Sequence, residues 1–274
     1  MWRGWRDVLT RLDFASAAPD AKLLTGHALG LSTLDLATRE NDLVDEPATA
    51  RVAELIRRRM TGESVARIIG FRAFYGLDFI LNEATLEPRP DTELLVDLAL
   101  GHLPAGGRLL DLGTGTGCIP IAILANQSDA SAVAVDLSAR ALEAAHDNAE
   151  RNGVSGRMAF PHGSWFDPLD EDRFDLITSN PPYITSAVVE TLAPEVKDFD
   201  PRLALDGGPD GLAPYRVIAT QAADWLKPGG WVLVEIGYDQ GAAVSALFLE
   251  AGFEDVNVHR DLNQLDRVVA AHHI

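Results

Sequence analysis

The chain has 274 residues and a mass of 29.6 kDa, is 47% apolar and 23% charged, and sets 23 basic against 41 acidic side chains for a net charge of −18. Such a composition excludes a disordered chain and leaves one large domain, or one with a smaller companion, able to bury a core without staples. A single cysteine, Cys118, excludes an internal disulfide, no apolar run near the motifs approaches the roughly 20 residues of a membrane helix, and the opening MWRGWRDVLTRLDF has no apolar signal core.

In chain order, Leu9, Leu12, Leu23, Leu24, Ala28 and Leu31 recur at near-helical spacing. Asp20 is placed to cap AKLLTGHALG, and Gly30 to end it. Pro47 precedes ATARVAELIRRRMTG, in which Val52, Leu55, Ile56 and Met60 form one face, Gly62 is the stop, and Arg57-Arg58-Arg59 reads as a solvated face. Residues 1–70 are therefore expected to form a small helical bundle. Residues 71–90 differ: two short aromatic and β-branched runs meet around Gly76, which predicts a β-hairpin or connector. Pro88-Arg89-Pro90-Asp91 then forms a rigid turn into the helix TELLVDLALGHL.

From Gly107 onward the pattern alternates: strand RLLDLG, helix CIPIAILANQ, strand SAVAVDL, and helix SARALEAAHDNAERNG with Ser138 as N-cap and Gly153 near its end. MAF and FDLITSN are strands, LAPYRVIATQAADWL is a helix, Pro228-Gly229-Gly230 turns into strand WVLVEIG, and DQGAAVSALFLEAG is a helix. DVNVHR and DRVVAAH close the chain as strands. Strands alternating with helices predict a mainly parallel sheet covered on both faces.

Asp111-Leu112-Gly113-Thr114-Gly115-Thr116-Gly117 follows the first of these strands and opens a helix. Its G-x-G-x-G spacing is neither the dinucleotide fingerprint nor a P-loop, but its glycines let backbone approach a ligand closely. Asp136 ends the next strand, about 20 residues on, where an acid accepts hydrogen bonds from ribose hydroxyls. Together they indicate an adenosine-containing cofactor, with nicotinamide cofactors still open at this point.

Asn180-Pro181-Pro182-Tyr183 follows the strand FDLITS. Two prolines fix φ and supply no N–H, so the Asn180 side-chain oxygen and the Pro181 carbonyl are rigid acceptors for both hydrogens of a planar NH₂, against whose face Tyr183 lies. The lone pair of a conjugated amino nitrogen is delocalised and a poor nucleophile. Acceptors on its N–H bonds stabilise the positive charge that develops as a methyl group arrives, with neither a metal nor a carboxylate base.

With these motifs the chain resembles a class I S-adenosylmethionine-dependent methyltransferase, and within that class the peptide chain release factor N5-glutamine methyltransferases. The likeness runs over nearly the whole chain, through GFRAFYGLDF, PRPDTELLVDLAL, RLLDLGTGTGCIPIAIL, AVDLS, SNPPYI, EVKDFDPRLALDGGPDGL, LKPGGWVLVEIGYDQ and DRVV. It implies an α/β Rossmann-like doubly wound sheet with a small N-terminal helical domain: a substrate-recognition domain over 1–70, a hairpin or linker over 71–90, and a methyltransferase domain over 91–274. It implies methyl transfer to the glutamine of a Gly-Gly-Gln loop, in support of translation termination. Gly113, Thr114, Gly115, Thr116, Gly117, Asp136 and Trp165 would hold S-adenosylmethionine. Asn180 would touch donor and substrate, and Pro181, Pro182 and Tyr183 would line the glutamine pocket, with Asn180, Pro181 and Tyr183 catalytic. Two positions depart from the family pattern: Asp91 where glutamate is common, and Ser164 where aspartate is frequent.

An adenine-N6 methyltransferase acting on a flipped base is the alternative, with the same tetrapeptide. A dinucleotide oxidoreductase or a non-catalytic nucleotide binder is a third reading, which leaves the tetrapeptide without a task. Charge counts against the nucleic-acid reading: residues 1–90 carry 12 basic and 13 acidic side chains, residues 91–274 carry 11 and 28. A cytoplasmic monomer with no metal, no membrane contact and no direct nucleic-acid contact is expected, and the His272-His273 pair reads as a solvated tail. Asp91 and Glu93 read as helix-start charges, with a cofactor-lid role for them and Arg89 the lesser alternative. Arg202 either positions the substrate loop or anchors its own loop, Glu235 ends a buried strand where an orienting role is open, and Cys118 is either an activated thiol or a packing residue.

Overall fold

Amphipathic spacing shapes the first of two units, Met1–Phe71, in the computed structural model, which describes residues 1–39, 41–170 and 173–274. It consists of α1 (Trp2–Arg11), α2 (Ala17–Leu29), α3 (Thr33–Thr38), α4 (Glu46–Met60) and α5 (Val65–Ile69). Leu9, Leu24, Val52 and Ile56 are fully buried among them, and Gly30 ends α2 in the left-handed conformation.

The expected bundle is present, with three corrections. Asp20 is not a cap: α2 starts at Ala17, and Asp20 lies buried in its first turn. Its carboxylate accepts hydrogen bonds from Ser16 Oγ (2.7 Å) and Arg59 Nε (2.7 Å). Arg59 is therefore buried, not part of a solvated arginine face. Met60 is exposed in its place. The reason is angular: seven residues from Val52 return the face to within about 20°, whereas eight residues drift by about 80°.

The second unit, Arg72–Ile274, follows the alternation. β1 (Phe71–Phe74) and β2 (Leu77–Ile80) form the expected hairpin, with Tyr75 and Gly76 both at positive φ (50° and 75°) in a two-residue turn. α6 (Glu93–His102), β3 (Arg108–Leu112), α7 (Cys118–Asn126), β4 (Ser131–Val135), α8 (Ala139–Arg151), β5 (Met158–Ala159) and β6 (Phe174–Ser179) come next. Short helices α9 (Ser186–Val189) and α10 (Pro194–Lys197) precede α11 (Ala213–Trp225), β7 (Leu226–Glu235), α12 (Gly241–Glu250), β8 (Glu254–Arg260) and β9 (Asp266–His272). Ser138 caps α8 by accepting from Ala141 N. Asn148 of α8, fully buried, accepts from Ile80 N (2.7 Å) and donates to Ile80 O (3.1 Å) and Thr116 O (3.0 Å), so one side chain ties the hairpin to the glycine loop.

The seven-stranded sheet has the order β5-β4-β3-β6-β7-β9-β8, parallel from β5 to β7, with β9 antiparallel to both its neighbours. Alternate residues face opposite sides. Leu109, Leu176 and Leu233 pack with Leu95, Val96 and Ile121 of α6 and α7, while Leu110, Ile177 and Val232 pack with Tyr215, Ile218 and Phe248 of α11 and α12. Each such fully buried side chain contributes about 2 kcal/mol. Pro228-Gly229-Gly230 lies within β7 and not ahead of it: the register jumps from Phe174↔Leu226 to Leu176↔Trp231, so the segment bulges out of the ladder. His272 is likewise no solvated tail, since it belongs to β9 and stacks on Trp231 at 4.7 Å. Among the described residues no helix is long and apolar enough to cross a membrane. Strand order reverses between β3 and β6, which opens a crevice at their carboxyl ends, as in doubly wound sheets generally.

Candidate active site

Both motifs empty into that crevice. After β3, Gly113 and Thr114 donate their N–H groups to Val135 O (2.9 and 3.0 Å), which folds the glycine loop over the end of β4. Gly113, Gly115 and Gly117 have φ of 70°, 55° and 76°. A Cβ on Gly117 would lie 2.9 Å from Ile121 Cδ1 and 3.2 Å from Ala145 Cβ, so this glycine lets α7 and α8 pack closely. A Cβ on Gly113 or Gly115 would meet nothing within 4 Å, and both residues line the cleft. These two leave an open cradle.

Asp136 closes one side of the cradle. Its Oδ2 accepts from Gly115 N (2.8 Å) and its Oδ1 from Ser138 N (2.8 Å), which leaves each oxygen a further lone pair for a ligand. Burial raises its pKa, and the backbone donors Ser138 and Gly115 oppose that rise. Trp165 also lines the cleft and holds a left-handed backbone at φ 49°, a strained conformation for a side chain of this size. Asp111 sits beneath the loop, with Oδ1 accepting from Thr178 Oγ1 (2.7 Å) across the β3–β6 ladder. Burial pushes its carboxyl up to about 7.

Asn180 follows β6 directly. The register pairs Ser179 with Val234, so the next residues, Asn180 and Glu235, stand side by side at the carboxyl ends of β6 and β7. Asn180 lines the cleft, and its Nδ2 donates to Thr92 Oγ1 (3.3 Å). Glu235 is 2% exposed, and burial pushes its carboxyl up to about 7 against hydrogen bonds from Thr92 and Asn180 and the charge of Arg267.

The tetrapeptide is braced from behind. Ile184 pairs with Leu205 and Gly207 through backbone bonds of 3.0 and 2.8 Å. A Cβ at Gly207 would lie 2.7 Å from Pro182 O and 2.8 Å from Tyr183 Cα, so only glycine fits. Gln240 Nε2 donates to Tyr183 O (3.0 Å) and Gly211 O (3.2 Å). Sequence reasoning did not single out Thr92, Gly207, Gly211 or Gln240 as supports. The DGGPDGL string was the available signal for the glycines, and Thr92 and Gln240 carry none.

Of the predicted site residues, Gly113, Gly115, Asp136, Trp165, Asn180 and Pro182 line one cleft. Thr114, Thr116 and Pro181 are buried and are not among its lining side chains. Gly117 serves helix packing, and Tyr183 packs against the core under α11 and α12, where burial pushes its phenol up to about 12. Arg202 anchors its own loop, paired with Glu190 and with Asp206 at 3.1 Å. Arg89 reaches Asp200 (3.0 Å) and Asp91 reaches Arg267 (3.4 Å), while Glu93 accepts from Tyr75 N (2.8 Å) and so ties the hairpin turn to α6. Cys118 is a packing residue: it is buried in the core, and burial pushes its thiol up to about 12.

Comparison with known proteins agrees with this geometry. Residues 1–70 match the family model of the PrmC N-terminal domain, and residues 90–196 match that of the methyltransferase small domain. A curated release factor glutamine methyltransferase of Agrobacterium fabrum (strain C58) is 47% identical over 270 residues, covering 96% of this chain and 93% of its own. The protein of the same name from Caulobacter vibrioides (strain CB 15) is 41% identical over 270 residues, covering 98% and 93%. Among solved structures, a methyltransferase from Pyrococcus furiosus superposes with a TM-score of 0.57 at 19% identity, covering 81% of this chain and all of that one, a likeness of fold. With full-length relatives at these identities, the chain belongs to the release factor glutamine methyltransferase family.

Proposed function

We propose that this chain transfers a methyl group from S-adenosylmethionine to the side-chain amide nitrogen of the glutamine in the Gly-Gly-Gln loop of peptide chain release factors. One observation carries the reading: Asn180 lines the same cleft as Gly113, Gly115 and Asp136, so an amide acceptor and an adenosine cradle share one space. Bound there, S-adenosylmethionine would supply an electrophilic methyl carbon, its S–CH₃ bond breaking as the N–C bond forms so that S-adenosylhomocysteine leaves, and one amide N–H proton would pass to water. The open space at Gly113 and Gly115 and the spare lone pairs of Asp136 fit its ribose and methionine portions, and Trp165 fits its adenine face.

The chain's own residues do the rest. The Asn180 side-chain oxygen and the Pro181 carbonyl accept the two N–H bonds of the glutamine amide. Holding both hydrogens turns the nitrogen toward the methyl carbon and stabilises the charge that develops on it. The Gly207 and Gln240 supports keep the tetrapeptide from moving as that charge grows. The named relatives favour glutamine over an adenine base as substrate. The acidic balance of residues 91–274 supports an enzyme without nucleic-acid contact, and relatives named for release factors support a place in the cytoplasm.

Incubating the enzyme with labelled methyl donor and a purified release factor, followed by mass spectrometry of the Gly-Gly-Gln peptide, is expected to place one methyl group on that glutamine. A label that survives replacement of the glutamine would remove the proposed substrate. The match of residues 1–70 to the PrmC N-terminal domain supports a substrate-recognition role for the helical unit. Deletion of residues 1–70 is expected to leave S-adenosylmethionine affinity within about twofold and to cut turnover of an intact release factor by about tenfold or more, because docking contacts are worth a few kcal/mol. Equal turnover of the whole factor by the truncated enzyme would deny the unit this role.

A further inference from the structure

Asn180 has a carboxamide whose oxygen and nitrogen are nearly the same size, so sterics alone do not decide which faces the cleft. Its neighbours do. The β6–β7 register sets Glu235 beside it, and Thr92, 2% exposed at the start of α6, takes its Nδ2 hydrogen at 3.3 Å. Resting on the methyl-transfer reading above, we infer that Glu235 is a positioning residue that, directly and with Thr92, holds the Asn180 carboxamide with its oxygen toward the substrate.

Donors and acceptors explain how. An ionised carboxylate only accepts. Both Thr92 and Asn180 present hydrogen-bonding side chains to Glu235, so the carboxylate draws the Thr92 hydrogen and the Asn180 NH₂ toward itself, and the same NH₂ reaches the Thr92 lone pairs at 3.3 Å. The Asn180 oxygen is then free for the substrate amide. A protonated Glu235 permits the opposite polarity: it can donate to the Asn180 oxygen, directly or by way of the Thr92 hydroxyl, and the acceptor is lost from the cleft. One proton thus sets the direction of the whole chain of bonds.

The surroundings hold Glu235 near that balance. Burial works against its charge, as does Asp91; Arg267 of β9 favours it, itself shared with Asp261 at 3.1 Å and Asp91 at 3.4 Å. Tyr183 and Tyr215 face it as neutral phenols, the Tyr215 hydroxyl donating to the Glu235 backbone carbonyl at 2.7 Å, and Cys118 is a neutral thiol nearby. One carboxylate oxygen, Oε2, is buried without a hydrogen-bond partner, an arrangement that costs stability and that a plain structural residue would not need.

The test compares Glu235→Gln, Thr92→Val and Asn180→Ala in the full-length enzyme. Glu235→Gln is isosteric but can present either a donor or an acceptor to Asn180 and Thr92, and Thr92→Val removes the hydroxyl that also takes the Asn180 hydrogen. Each is expected to lower kcat by about tenfold or more through misorientation of Asn180. S-adenosylmethionine affinity by calorimetry and Tm should stay at native values, which separates positioning from misfolding. Native kcat is expected to rise with pH through about 7, where Glu235 ionises, and Glu235→Gln to lose that rise. Native kcat and an unaltered pH profile in Glu235→Gln, with Asn180→Ala inactive, overturns the positioning role and leaves the methyl-transfer reading standing; native kcat in Thr92→Val alone removes Thr92 from it. Full activity in Asn180→Ala overturns that reading, and this inference with it.

Discussion

Asn180→Ala is expected to lower kcat by on the order of 10²- to 10³-fold, the loss found when one preorganised group that stabilises transition-state charge is removed. The effect falls on turnover because the amide nitrogen of the substrate becomes positive only as the new bond forms. Before that, one lost hydrogen bond costs about 1 kcal/mol, so the KM for the release factor should rise by less than about tenfold. The fold should survive. Asn180 lies beyond the last ladder residue of β6, and its side-chain partner is a hydroxyl that water can satisfy once the cleft is opened. Asn180→Asp is the sharper variant. It keeps the size and an acceptor but places a second carboxylate beside Glu235, where one of the two must take a proton. It too is expected to be inactive near neutral pH. Single-turnover kinetics with saturating release factor checks both, and native rates in Asn180→Ala would falsify the proposed role of this residue.

Asp136→Ala is expected to weaken S-adenosylmethionine binding by roughly 10- to 100-fold, since hydrogen bonds to a charged group contribute about 1.5–3 kcal/mol. Two losses combine. The ribose hydroxyls lose their acceptor, and Gly115 N and Ser138 N lose theirs, so the glycine loop and the entrance to α8 are no longer tied together. Asp136→Asn divides the two contributions. Its one oxygen can serve only one of the two backbone donors while its NH₂ opposes the other, so loop order suffers although volume is unchanged. Calorimetric titration gives both affinities directly. Equal affinity of Asp136→Ala and the native enzyme would mean that the ribose lies elsewhere. The carboxyl must be ionised to bind in this way, and burial raises its pKa, so affinity should fall as the pH drops toward the carboxylate range.

Much of this molecule is legible from local pattern. Alternating strands and helices, the Tyr75-Gly76 turn, the Ser138 cap and the placement of the glycine loop, Asp136 and Asn180 at strand ends all follow from spacing and residue type, because backbone geometry repeats every two or 3.6 residues and each signal lies within one element. Arg59 was unreadable for the opposite reason: its partner Asp20 lies 39 residues earlier, and a triple arginine run does not reveal which member turns inward. The bulge at Pro228-Gly229-Gly230 resembles an ordinary turn until strand register is known.

The site divides in the same way. Residue type alone determined the chemistry on offer: an acid beyond a glycine loop, and a carboxamide held before two prolines. Which way that carboxamide turns was decided in three dimensions. Thr92 comes from the start of α6, Glu235 from β7 and Gly207 from the loop after α10, and none is near Asn180 along the chain. Hydrogen-bond direction depends on the partner across the sheet, and only the β6–β7 register and the packing of α6 bring those partners together.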